Sequence, residues 1–183
     1  MAVETKELAL GFKAPLFTLF DVISGCEKSL EELKGRKATV IMFICNHCPY
    51  VKHVIKAIVR LAKDYLIKDV SFIAISSNDV IKYLADAPEK MKEFARENDF
   101  PFPYLYDATQ NVARDYDAAC TPEFYIFDRE LSLRYHGQMD DARPGNNAEV
   151  TGIDLSKAIE SIMSGEEVQG KQKPSIGCGI KWK

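Results

Sequence analysis

The sequence predicts an α/β fold with a central mixed β-sheet flanked by helices, and three observations carry that prediction. Ala38 to Ile44 (ATVIMFI) is a continuous, largely apolar and β-branched run, the pattern of a strand buried on both faces. Val70 to Ile75 (VSFIAI) is a second such run. Between them, Val51, Val54, Ile55, Ile58, Leu61, Ala62 and Tyr65 recur at helical spacing over Pro49 to Leu66 and make one apolar face. Strand, helix and strand within about forty residues form a βαβ unit, with parallel strands and a right-handed crossover.

The remaining elements follow in order. Residues 11–35 form a prelude: Phe17, Leu19 and Phe20 predict a short strand, Ser24-Gly25 a turn, and Ser29 to Leu33 a helical turn closed by Gly35. Asp86 is placed to cap a helix over Pro88 to Asn98, with Met91, Phe94 and Ala95 inward. The run Phe100 to Tyr106 carries Pro101 and Pro103, which lack donors, so no ordinary central strand is expected there. Asp107 is expected to cap a short helix reaching Tyr116. Glu123 to Phe127 and Leu131 to His136, split by Asp128-Arg129-Glu130, read as an antiparallel hairpin. Asp154 is expected to cap a last amphipathic helix to Met163. The chain is expected to be a single domain, residues 1–183, with 165–183 an irregular tail.

Composition removes several function classes. Hydrophobic residues make up 46% and charged residues 28%, which excludes a disordered chain and a membrane bundle. The net charge of −3, without a basic cluster, argues against nucleic-acid binding. The helix stripe Lys52, Lys56, Arg60 and Lys63 reads first as a solvated face. The longest unbroken apolar run, Val40 to Cys45, is far short of a bilayer span, and the acidic N-terminus does not suit a signal peptide. A cytoplasmic protein without a membrane partner is expected. Five cysteines in a reducing compartment point to catalytic thiols or a metal site rather than structural disulfides.

The segment Cys45-Asn46-His47-Cys48-Pro49 is a C-x-x-C between a buried strand and a helix N-terminus. First-turn amides and the helix dipole favour a thiolate there, and such thiols fall to a pKa of about 3.5–7.5. A protonated His47 would add positive charge. Thr121-Pro122, just before the hairpin, is the second element: proline at a strand entrance removes a donor and can be cis.

Together these features resemble the thioredoxin superfamily from about residue 12 onward. Ala14-Pro-Leu-Phe-Thr-Leu, Phe102-Pro-Tyr-Leu-Tyr-Asp107 and Thr121-Pro-Glu-Phe-Tyr-Ile-Phe-Asp128 resemble its peroxiredoxin-like AhpC/TSA branch. Cys-Asn-His-Cys-Pro-Tyr-Val-Lys, Gly137 to Gly145 and the Gly-Cys-Gly-Ile-Lys-Trp tail are similar to a poorly characterised subfamily of that branch. The resemblance implies a thioredoxin-like fold with an N-terminal peroxiredoxin-type hairpin extension. It also implies a thiol–disulfide oxidoreductase in an antioxidant role, with no cofactor. Its partners would be a disulfide or peroxide substrate and a thiol reductant, with a homodimer as the family analogy.

Two assignments of the thiols stay open. The thioredoxin pattern makes Cys45 the attacker, which is preferred, and Cys48 the resolver. The peroxiredoxin pattern P-x-x-x-T-x-x-C makes Cys48 peroxidatic, with Cys45 at the threonine position and Ile41 at the leading proline. The arginine that peroxiredoxins place at the late hairpin is replaced by Thr121-Pro122, and neither Arg134 nor Arg143 is placed there by sequence. Thr39 stands where thioredoxins carry a buried acid. Stabilised thiolate predicts a redox potential above the roughly −270 mV of thioredoxin.

Cys120 and Cys178 are additional candidate redox thiols, against readings as a buried hydrophobe and an idle tail thiol. Cys26 is taken as incidental, His53 as a surface residue, His136 as without chemistry, and Trp182 as an anchor for the tail. A zinc module built on Cys45, Cys48, Cys120 or Cys178 and a histidine is the competing reading.

Overall fold

The βαβ unit forms the centre of the molecule in a computed structural model that describes residues 2–183. In chain order the elements are β1 (Ala2–Glu4), β2 (Thr18–Asp21), β3 (Cys26–Ser29), α1 (Leu30–Leu33), β4 (Ala38–Phe43), α2 (Pro49–Leu66), β5 (Val70–Ser76), α3 (Pro88–Glu97), β6 (Tyr104–Tyr106), α4 (Asn111–Asp115), β7 (Cys120–Thr121), β8 (Glu123–Asp128), β9 (Leu133–Gly137), α5 (Ile153–Met163) and β10 (Ile176–Gly179). The main sheet runs β3-β2-β6-β5-β4-β8-β9. β4, β5 and β6 are parallel, while β2–β3, β2–β6, β4–β8 and β8–β9 are antiparallel, so the sheet is mixed. The expected N-terminal hairpin is β2–β3.

β4 explains why its sequence shows no alternation. Val40 and Met42 pack on the face covered by α2 and α5, against Val54, Ile58 and Leu155. Ile41 and Phe43 pack on the other face with Ile73, Tyr116 and Tyr125. Both faces are dry, so every position is apolar or, at Thr39, hydrogen-bonded: its Oγ1 accepts from the Gly35 amide at 3.0 Å. On α2 the apolar stripe is buried and Lys52, Lys56, Arg60 and Lys63 are exposed, as is His53. Ser29 and Glu32 cap α1 reciprocally.

Several local expectations are corrected. Pro101 and Pro103 precede a strand instead of abolishing one: β6 starts after Pro103 and lies between β2 and β5, where no proline interrupts the ladder. Asp86 does not cap α3, whose N-cap is Ala87 without a side-chain bond. Asp154 lies inside α5, behind Gly152 at the N-cap, and accepts from Gln138 instead. Gln110 occupies the N-cap of α4, and Asp107 serves that helix from outside by accepting from the Ala113 amide at 3.0 Å.

The tail is irregular only as far as Ser175. Residues 176–179 form β10, which pairs antiparallel with β1 on one side and β7 on the other. Glycine at 177 belongs to this packing, since a Cβ there would collide with the Thr121 carbonyl. A Gly-rich tetrapeptide has no strand propensity of its own, and the partners create the strand. Beyond it, Asp79, Asn78 and Gln110 hold the backbone of Lys181 and Lys183. Trp182 contributes a stack on the Arg114 guanidinium. Among the described residues no helix is long and apolar enough to cross a membrane.

Candidate active site

Where β4 ends, the chain passes through Ile44 and Cys45 and turns at Asn46-His47 into α2, whose N-cap is Cys48 and whose first residue is Pro49. Proline costs nothing at that position because the first-turn amides have no intrahelical acceptor. β8 runs antiparallel to β4 with Glu123 opposite Phe43, which sets the preceding Thr121-Pro122 beside the motif. The Thr121-Pro122 bond is cis. Cys45 Sγ lies 3.3 Å from Thr121 Oγ1, and Cys48 Sγ lies 3.2 Å from the Thr121 carbonyl. The residues singled out in sequence, Cys45, His47, Cys48, Thr121 and Pro122, therefore converge.

The surroundings shift the two motif thiols in opposite directions. Cys48 is pulled down to about 4, first by a hydrogen bond from the Cys45 side chain, then by Cys178, the Val51 amide and Thr121, with burial working the other way. Cys45 is pushed far up by the same bond to Cys48, by burial and by the Asp86 carboxylate. Burial and Asp86 disfavour an anion on Cys45, while the helix terminus favours one on Cys48. This direction matches the peroxiredoxin-type assignment and stands beside the thioredoxin-type one, in which Cys45 is the attacker. The reason is register: α2 begins after Cys48, so the helix amides address the second sulfur of the motif.

His47 is committed to Asp86 and does not turn to Cys48. Its Nδ1 is 2.6 Å from Asp86 Oδ2, and its ring stacks on Tyr83 at 5.5 Å. Asp86 is fully buried. It also accepts from the amides of Asn46 and His47 and from the Asn78 side chain. The buried acid that Thr39 does not supply is therefore present, delivered by a different loop. Asn46 is fixed by Tyr104 Oη at 3.0 Å and by Ala85 at 2.8 Å.

A second buried carboxylate escaped the sequence reading. Glu123 has no exposed surface. It accepts from the Ala119 and Cys120 amides, from Tyr125 Oη at 2.6 Å, and pairs with His136 at 2.8 Å. His136, expected to be without chemistry, is the hydrogen-bonding partner of the residue that holds the loop before Pro122. The readable signal was a charge inside a strand otherwise built for burial. Cys120 is buried with its thiol pushed up, above all by desolvation, as expected of a small core residue. Cys26 is exposed and remote in the β2–β3 hairpin.

Neither arginine takes the peroxiredoxin position. Arg134 is committed to Asp128 at 2.7 Å. Arg143 binds Gln138, Asp140 and Ala142, and it borders a cavity of about 20 Å³ beside Pro122 and Ile176, room for one water. Of the residues named for a zinc site, Cys120 turns its Sγ to the Pro122 carbonyl at 3.9 Å. The cluster that does form is Cys45, His47 and Asp86, with ligand atoms within 4.8 Å of one another. The Asp86 oxygens there already accept from four protein donors. An open groove of about 560 Å³ borders the motif at His47, Lys52, Lys56 and Phe94.

The AhpC/TSA family profile matches residues 10–136. No curated protein matches the chain. Among solved structures, an uncharacterized conserved protein from Geobacillus kaustophilus is 57% identical, with TM-score 0.98, over 100% of this chain and 97% of that one. A hypothetical protein from Sinorhizobium meliloti is 42% identical, with TM-score 0.96, over 98% of each. The fold is shared with the thioredoxin domain of a thiol-disulfide oxidoreductase from Bacteroides vulgatus, 18% identical over 84% of this chain and 99% of that one with TM-score 0.64. It is shared equally with a peroxidoxin from Mycobacterium tuberculosis, 18% identical over 86% and 98% with TM-score 0.65.

Proposed function

The chain belongs to the AhpC/TSA family, and from that premise we propose that it is a thiol–disulfide oxidoreductase working through the Cys45/Cys48 dithiol. Family and fold support a redox function. The observation that carries the finer reading is geometric: Cys48 stands at the α2 N-terminus, Cys45 lies beside the buried Asp86 carboxylate, and both sulfurs touch Thr121.

The Cys48 thiolate attacks one sulfur of a substrate disulfide, forming a mixed disulfide and expelling the other substrate sulfur as thiolate. Cys45 then loses its proton toward the His47–Asp86 pair and attacks Cys48 Sγ. That closes the Cys45–Cys48 disulfide and releases the second substrate thiolate, which takes up the proton. An external thiol reductant restores the dithiol. Thr121 contacts both sulfurs and keeps them in register.

A peroxidase reading has one observation in its favour: Cys48 directly precedes Pro49 at the helix start, the peroxidatic position of the family pattern. There the thiolate attacks a peroxide oxygen, becomes a sulfenic acid, and condenses with Cys45 with loss of water. Cys45→Ser and Cys48→Ser variants separate the two readings. Exchange predicts insulin-disulfide reduction by the wild type, its loss in Cys48→Ser, and a mixed disulfide trapped on Cys48 when Cys45→Ser is combined with Cys178→Ser. Hydrogen peroxide turnover by the wild type, with sulfenic acid on Cys48 in that double variant, supports the peroxidase instead.

A further inference from the structure

Cys48 and Cys45 are almost completely buried, although the sulfur that attacks must meet a partner from outside. What closes the site is the chain itself. β10 lies antiparallel along β7, with Cys178 paired to Thr121 and Gly179 to Cys120. Thr121 is the residue whose carbonyl and hydroxyl touch Cys48 and Cys45. Cys178 therefore stands over the motif, and its side chain packs against the core cluster that contains Cys45 and Cys48. It is partly exposed where the other two are not.

The arrangement is anchored on both sides. Ser175 is held by Thr5 and Gly137, and Lys181 by Asn78, Asp79 and Gln110. Asn78 also donates to Asp86, so the strand end and the motif acid share one side chain. The absence of a side chain at Gly177 lets the strand approach the Thr121 carbonyl closely enough to bring Cys178 in.

From this we infer that Cys178 is the third thiol of the site, passing the disulfide between the buried Cys45/Cys48 pair and thiols outside. The inference rests on the dithiol reading above. Cys178 thiolate attacks Cys48 Sγ of the Cys45–Cys48 disulfide, the Cys45–Cys48 bond breaks, and Cys45 leaves and takes up the proton Cys178 gave up. An external thiol then attacks Cys178 Sγ and expels Cys48 as thiolate. A second external thiol attacks its own partner's sulfur, freeing Cys178 and leaving an external disulfide. Cys48 is the good leaving group in that sequence because its anion is stabilised at the helix terminus.

The experiment treats the full chain with one equivalent of diamide, maps disulfides by mass spectrometry, and follows reduction by glutathione, using wild type, Cys45→Ser and Cys178→Ser. A Cys48–Cys178 link within monomeric Cys45→Ser is expected. Cys178→Ser should form Cys45–Cys48 alone and be reduced by glutathione roughly tenfold more slowly than wild type. A Cys45→Ser variant that leaves Cys48 and Cys178 unlinked, or Cys178→Ser reduced at the wild-type rate, overturns the relay. Failure of Cys178→Ser to form Cys45–Cys48 refutes the dithiol reading instead.

Discussion

Asp86 Oδ2 sits 2.6 Å from His47 Nδ1, joining a loop after β5 to the middle of the C-x-x-C. The carboxylate, with four protein donors around it, both fixes the turn that spaces the two cysteines and lies next to the Cys45 proton.

Asp86→Asn puts an amide where four donors converge. It should slow closure of the Cys45–Cys48 disulfide by about a hundredfold and destabilise the fold by about 1–3 kcal/mol. Stopped-flow oxidation and urea unfolding measure the two effects separately. Unchanged closure with lowered stability would make Asp86 a structural residue only.

Alkylation should find one fast thiol. In Cys45→Ser, iodoacetamide should still modify Cys48 once β10 is loosened by Gly177→Ala, because helix amide and dipole remain. In Cys48→Ser the remaining Cys45, held up by burial and Asp86, should react at least about a hundredfold more slowly at pH 6. Equal rates would remove the charge asymmetry on which the mechanism rests.

The same asymmetry makes the reduced protein pH-sensitive. Cys48 lies near 4 when folded and near 8.5 in an unfolded chain. Its contribution to stability is present above the unfolded value and is lost as pH falls through that window toward 4. The urea midpoint of reduced wild type should therefore exceed that of Cys48→Ser by more at pH 8 than at pH 5. A gap that stays constant contradicts a depressed Cys48.

Glu123 is the other buried carboxyl group, and His136 its side-chain partner. His136→Ala removes that partner and the ring stacked on Tyr125 at 4.4 Å, while the Ala119 and Cys120 amides and Tyr125 Oη stay on Glu123. It should cost about 1–3 kcal/mol in denaturant unfolding. A cost under about 1 kcal/mol would show that water satisfies Glu123 after the deletion.

What the sequence made legible was local. The dry run of β4 and the stripe of α2 are patterns a chain must carry to bury those surfaces, and the C-x-x-C and Thr121-Pro122 are chemically distinctive side chains. Asp86 was not legible because an aspartate shortly before Pro88 looks like a cap, and only tertiary packing turns it toward His47. β10 was hidden for a related reason. Its glycines lower strand propensity while permitting the close approach to Thr121 that creates the strand. Which sulfur the helix amides address depends on one residue of helix register, finer than periodicity resolves.

The most direct test is redox titration of the Cys45/Cys48 pair in glutathione buffers, reading free thiols by mass. Stabilising the Cys48 thiolate favours the reduced form, so both thiols should be lost together with a midpoint above about −270 mV. A midpoint at or below that value, or oxidation that never joins Cys45 to Cys48, would contradict that expectation.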